Sequence, residues 1–132
     1  MTIALVCVFA FVLVIYATRM AVFSGQVKRP EGYDNHHPRD QQARLEGPPR
    51  RANAAQQNGF EAFGPFAASV IIAQGAGASQ HVVNALAIAF VALRAVYVYA
   101  YIADKPMLRS GVWTLAFGCV CCAFITTNVG RS

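Results

Sequence analysis

At 132 residues, 56% hydrophobic and only 13% charged, the chain has the length of one domain but is too apolar for an ordinary soluble one. Its mean hydropathy of +0.41 points to a protein that crosses a membrane several times. The net charge of +5 is segregated: Arg19, Lys28, Arg29, Arg39, Arg44, Arg50 and Arg51 fall at or between the first two apolar stretches, and Lys105 and Arg109 between the last two. That positive-inside pattern argues against a nucleic-acid partner. It predicts a cytoplasmic basic face with both termini on the opposite side, as for a protein of a bacterial inner membrane.

Four apolar segments follow one another, at 2–23, 52–76, 80–103 and 107–129, each near the roughly 20 residues a spanning helix needs. The first lacks the basic start of a secretory signal and is long enough to span, so it reads as a retained helix. Residues 24–51 form the one long polar stretch, rich in proline and glycine, and predict a cytoplasmic loop with a short interfacial helix around 40–45. Gly75-Ala76-Gly77-Ala78-Ser79 predicts a tight hairpin, and Asp104-Lys105-Pro106 another, with Pro106 opening the last helix. Short links make neighbours antiparallel. The fold expected is therefore all-α, a four-helix membrane bundle in a single domain over 1–132, its alanine-rich middle helices in close approach.

Cys7, Cys119, Cys121 and Cys122 all lie in apolar segments and read as small packing residues, without a disulfide framework or zinc-type spacing. Adjacent His36 and His37, with Asp34 and Asp40, sit in a proline-rich loop and read as turn and surface residues, so no metal site is expected. His81 and Asn84 read as interfacial or capping residues, and Trp113 as an interfacial or packing aromatic.

Ionisable residues at membrane depth are costly and point to function, which singles out Glu61 and Arg94. Antiparallel second and third helices would bring them to one depth, as a charge pair flooring a polar crevice. Arg51, Asn58 and Glu61 share one face of the second helix, and Arg94, Tyr97 and Tyr101 one face of the third, with Arg109 and Ser110 opening the fourth. Such a funnel of acid, amide, phenol and guanidinium groups suits a small zwitterion with two carboxylates, an ammonium and a thiol; glutathione has that inventory. Spacing alone leaves a second reading open, in which Glu61 and Arg94 only hold two helices together.

The run from Arg51 through Asn58, Glu61, Phe63 and Pro65 to Phe66 resembles the second-helix signature of the MAPEG family, membrane-associated proteins in eicosanoid and glutathione metabolism. Arg94, Tyr97 and Tyr101 resemble its third-helix glutathione contacts, Arg109 with Ser110 its fourth-helix pair, and residues 33–39 the loop of a bacterial branch. The resemblance implies a homotrimer with glutathione bound between protomers by Arg51, Asn58, Glu61, Arg94, Tyr97, Tyr101 and Ser110, and with Arg109 stabilising the thiolate. Ala54 and Gln57 depart from it, standing where prostaglandin E synthase-like members carry further arginines.

Three functions compete. The first is a glutathione-dependent transferase or peroxidase whose hydrophobic small-molecule substrate arrives through the lipid bilayer. The second is a non-catalytic protein binding lipid or a small anion. The third, a transporter, fits least, because the polar residues concentrate towards one face.

Overall fold

The computed structural model describes residues 1–129 and is all-helical, with no strand among them. The elements are α1 (Ile3–Val27), α2 (Pro38–Ala43), α3 (Gly47–Gly75), α4 (Gln80–Ile102) and α5 (Pro106–Val129). Ser132, on which the expected side of the C-terminus bears, lies outside the described residues.

Helices α1, α4 and α5 are long and apolar enough to cross a membrane. The expected second span, 52–76, is helical but does not belong with them: α3 runs 29 residues and carries Arg50, Arg51, Gln56, Gln57, Asn58 and Glu61. Two boundaries also move. α3 begins at Gly47 rather than at 52, because Pro48 and Pro49 occupy the first turn, where a missing N–H costs nothing and the fixed φ suits a helix. α1 continues to Val27, so the expected loop 24–51 shrinks to residues 28–46, with α2 inside it at Pro38–Ala43 rather than 40–45. Hydropathy marks where lipid contact ends, and backbone hydrogen bonding carries a helix past that point.

The buried residues of α1, namely Ala4, Cys7, Phe11, Ile15, Thr18, Val22 and Gln26, form a single stripe at three- and four-residue steps. The opposite face, including Phe9, Leu13 and Met20, is apolar and exposed, as expected of a surface that meets lipid. α1 packs chiefly on α3 and α4 chiefly on α5, while α3 also touches α4 and α5. Three rings join the layers: Phe11 lies edge-on to Phe66 and Phe90, with centroids 5.9 and 5.0 Å away, and Phe66 stacks on Phe90 at 3.9 Å. Deeper towards the basic end, Gly59 lets α1 approach α3 so closely that a Cβ there would stand 2.9 Å from Ile15 Cγ1.

Both hairpins close with paired hydrogen bonds from a left-handed residue and its successor. Gly77 (φ 77°) and Ala78 donate to Gln74 and Ala73, and Asp104 (φ 58°) and Lys105 donate to Tyr101 and Ala100. The two ends of the molecule differ in chemistry. At the hairpin end near Gly77, an uncharged network ties three helices: Gln74 donates to Thr2 (2.5 Å) and Gln80 (3.3 Å), Gln80 donates to Asn84 (2.7 Å), and Asn84 Oδ1 accepts from the Ala4 amide (3.0 Å). At the basic end, fully buried Gln26 and Gln41 pin the connecting loop. Gln26 Nε2 donates to the Pro38 carbonyl and Gln41 Oε1, and Gln41 Nε2 donates to the Gly32 carbonyl at 2.7 Å. Within that loop Asp34 Oδ1 accepts from the His36 and His37 amides at 2.9 and 3.0 Å. Those bonds, that of His37 foremost, hold its carboxyl below the usual range, with both imidazoles adding in the same direction.

Candidate functional site

Arg94 is the largest side chain buried almost completely, at 1% exposure. Its Nη2 donates to Asn58 Oδ1 at 2.9 Å, and its guanidinium carbon lies 4.1 Å from the centre of the Tyr97 ring and 5.6 Å from that of Phe11. Three helices thus supply its surroundings: an amide from α3 and aromatic faces from α4 and α1. Its Nε finds no partner among the described residues.

The expected direct pair between Glu61 and Arg94 is corrected. The amide of Asn58 stands between them, its oxygen accepting from Arg94 and its nitrogen donating to Glu61 Oε2 at 3.3 Å. The reason is helical geometry: at about 100° per residue, three residues along α3 turn Glu61 about 60° from Asn58, out of the α3–α4 contact and onto the exposed edge. The result is a relay of acid, amide and guanidinium. Four residues beyond Glu61, Pro65 lacks the N–H that would bond the Glu61 carbonyl in a regular helix.

The relay opens into a crevice of 160 Å³ between α3, α4 and α5. Asn58, Glu61 and Arg94 form its polar wall, and Pro65, Trp113 and Phe117 are among its apolar lining. Trp113 and Phe117 stack at 5.5 Å with their planes 11° apart and are both exposed, so they make an aromatic shelf at its mouth.

From Arg94 a ladder of rings and guanidinium groups runs towards the basic end. Tyr97 meets Tyr101 edge-on at 5.7 Å, and Arg109 lies over the Tyr101 ring at 4.5 Å. The one ion pair among the described residues, Arg29 with Glu31, lies in the loop, so Arg109 has no carboxylate partner there. Arg51 plays a separate, structural part, its Nε donating to the Ile102 carbonyl at 3.0 Å and so satisfying the last turn of α4. Ser110 is exposed one residue beyond Arg109, its carbonyl accepting from Thr114. The structure therefore joins Asn58, Glu61 and Arg94 in one crevice and links Tyr97, Tyr101 and Arg109 to it by stacking, while Arg51 and Ser110 lie outside that chain of contacts.

Two contributors escaped the sequence reading. Trp113 follows Arg109 by four residues and so shares its face of α5, a spacing that could have drawn it into the site. Phe11 carries no polar signal in the sequence, and only the three-helix packing brings it to Arg94.

An all-helical chain with three membrane-length apolar helices and a polar relay sunk between helices defines a class: membrane-embedded proteins with an interhelical site. The MAPEG family model matches residues 2–128, and the chain belongs to the MAPEG family. Neither a curated protein nor a solved structure matches it significantly.

Proposed function

We propose that this protein is a membrane-embedded, glutathione-dependent transferase or peroxidase acting on hydrophobic electrophiles. The observation that carries the reading is the Glu61–Asn58–Arg94 relay facing an aromatic shelf, in a chain of this family. The residues fit the tripeptide. Arg94 uses one of its five N–H donors on Asn58, so donors remain for a carboxylate; the exposed Glu61 side chain suits an ammonium; and Arg109 has no carboxylate partner among the described residues.

Bound glutathione would supply the sulfur nucleophile. Stacking on Tyr101 limits the directions Arg109 can take, and a guanidinium beside a thiol favours the thiolate at neutral pH. Trp113, Phe117 and Pro65 offer apolar surface to a substrate entering from lipid.

A crevice of 160 Å³ is smaller than the roughly 300 Å³ at which ligand pockets begin, and Glu61 stands at its open edge. A second copy completing the wall would remedy both, which favours an oligomer, in the family reading a homotrimer, with α3 as the fourth helix of each bundle. The basic end would face the cytoplasm of a bacterial inner membrane, with both termini opposite.

Titration of detergent-purified protein with glutathione tests the reading. Saturable binding together with ultraviolet thiolate absorbance is expected. Absence of both overturns it in favour of a non-catalytic protein that binds lipid or a small anion.

A further inference from the structure

The turn between α4 and α5 decides where Arg109 and Trp113 stand, because they follow Pro106 by only about one and two helical turns. Its closure is incomplete from within. Among the last carbonyls of α4, that of Tyr99 accepts from the Ala103 amide, and those of Tyr101 and Ala100 accept from Asp104 and Lys105. Ile102, the last residue of the helix, has no regular helical donor, since four residues on stands Pro106, which has no N–H. Arg51 supplies the bond from α3, its Nε donating to the Ile102 carbonyl at 3.0 Å. A cationic donor suits that place, where the negative end of the helix dipole lies.

The same bond ties the turn to the relay. Arg51 precedes Asn58 by seven residues, which puts the two on one face of α3, about 10 Å apart along its axis. Across the turn, Arg109 lies over the ring of Tyr101, the residue before Ile102, at 4.5 Å. One stretch of α3 therefore carries the amide that holds Arg94 at one end and, at the other, the cation that holds the turn from which Arg109 projects. Arg51 is itself half-buried and does not line the relay crevice.

We propose that Arg51 is a positioning residue for Arg109: by holding the Ile102 carbonyl it fixes the α4–α5 turn, and with it the direction from which the Arg109 guanidinium approaches the sulfur. The inference rests on the glutathione reading and gives Arg51 a part in it other than contact with the tripeptide. Orientation matters at this scale, because misplacing a reacting group by about 1 Å can cost about 10²-fold in rate.

The test compares the full chain in detergent with Arg51→Met, which keeps a stem of similar reach without a donor, and with Arg51→Lys, which keeps a donor for the carbonyl. The first readout needs no glutathione. Trp113 is the chain's one tryptophan and follows Arg109 by four residues, so its fluorescence reports the placement of α5. Arg51→Met should increase acrylamide quenching of Trp113 about twofold, while Arg51→Lys stays close to wild type. The second readout is the pH titration of thiolate absorbance in the bound complex, with glutathione affinity measured alongside. Arg51→Met should raise the thiol midpoint by about one pH unit, about a tenfold loss of thiolate, while affinity changes less than about threefold, and Arg51→Lys should recover most of that loss. Arg51→Gln, with a shorter neutral donor, should move both readouts the same way by less, and it carries the test if the methionine variant does not fold. A lower unfolding midpoint in Arg51→Met with the thiol midpoint in place overturns the proposal, since the bond would then serve stability alone. So does an affinity loss of about tenfold or more with the thiol midpoint unchanged, which would return Arg51 to the contacts of the tripeptide, and so does equal quenching of Trp113 in all the proteins. Absence of thiolate in the wild-type complex would sink the glutathione reading instead, and the Trp113 comparison would then decide by itself whether Arg51 holds the turn.

Discussion

Removing the Asn58 side chain should be costly only while Arg94 is present. In Asn58→Ala the Arg94 guanidinium, 1% exposed and with Nε already unpartnered among the described residues, loses its one hydrogen-bond acceptor among them. Neutral interhelical hydrogen bonds in membranes average about 0.6 kcal/mol, but a bond to a charged group is worth about 1.5–3 kcal/mol, and stranding a buried charge can cost about 3–5 kcal/mol. Stacking on Tyr97 survives the substitution and recovers part of the loss, about 1 kcal/mol. The balance is a destabilisation of about 2–3 kcal/mol. Arg94→Met replaces the guanidinium with an apolar chain of similar reach, so the charge and its unpaired Nε disappear together; this variant should lie within about 1 kcal/mol of wild type. With Arg94 gone, Asn58→Ala should add little, giving a coupling of about 2 kcal/mol in a double-mutant cycle measured by reversible unfolding in mixed micelles. A coupling below about 0.5 kcal/mol would refute the role of Asn58 as the partner of a buried charge.

Arg109→Leu should preserve most glutathione affinity, abolish thiolate absorbance and slow turnover by about 10²–10³; affinity and absorbance falling in parallel would argue against a thiolate role. Gly59→Ala should destabilise the α1–α3 contact by about 1–3 kcal/mol, since its Cβ would stand 2.9 Å from Ile15 Cγ1, and in an Ile15→Ala background, where that γ carbon is gone, the same change should cost less. Asp104→Gly should raise stability by about 0.5–1 kcal/mol, because φ of 58° is strained for a residue with a Cβ; a lower thermal midpoint would contradict the turn geometry. Asp34 is depressed from its ordinary 3.8, so its ordering of the loop is complete above that pH and is lost as pH falls through the lower, folded value. The His36 and His37 amide resonances should therefore titrate below pH 3.8, and an inflection at or above it would disprove the Asp34 cap.

The long helices and their tight turns were legible because each turn carries its own chemistry: Gly77 and Asp104 take the left-handed position, and Pro106 opens the next helix. The start of α3 was not, since Pro48 and Pro49 serve a first helical turn as readily as a loop. Periodicity aligned Asn58 with Glu61 and Arg94 with Tyr97, but it could not choose the acceptor for Arg94. That depends on how α3 is rotated against α4, which close packing at Gly59 and the Phe66–Phe90 stack determine together. A crevice between α1, α2 and α3, lined among others by Arg19, Arg39 and Gln57, was hidden for a related reason. Its walls come from three elements, and α2 reaches its place only through Gln26 and Gln41, two amides with no distinguishing pattern in the sequence.

The placement of Arg94 bears on what the relay is for. A guanidinium that served only to join α3 to α4 would gain most from a direct carboxylate partner, and Glu61 is only one turn from providing one. Instead Asn58 holds Arg94 by a neutral group, rings on two helices cover its faces, and the carboxylate is left at an exposed edge. Acid and base are thereby kept close without neutralising each other directly, which favours a ligand carrying both charges over one carrying either alone. A zwitterion can satisfy Glu61 with its ammonium and Arg94 with a carboxylate, whereas a simple anion would bring its charge close to Glu61. Glu61→Gln should accordingly improve binding of a plain carboxylate while weakening that of glutathione, and parallel changes for the two ligands would show that the separation of charge has no part in recognition.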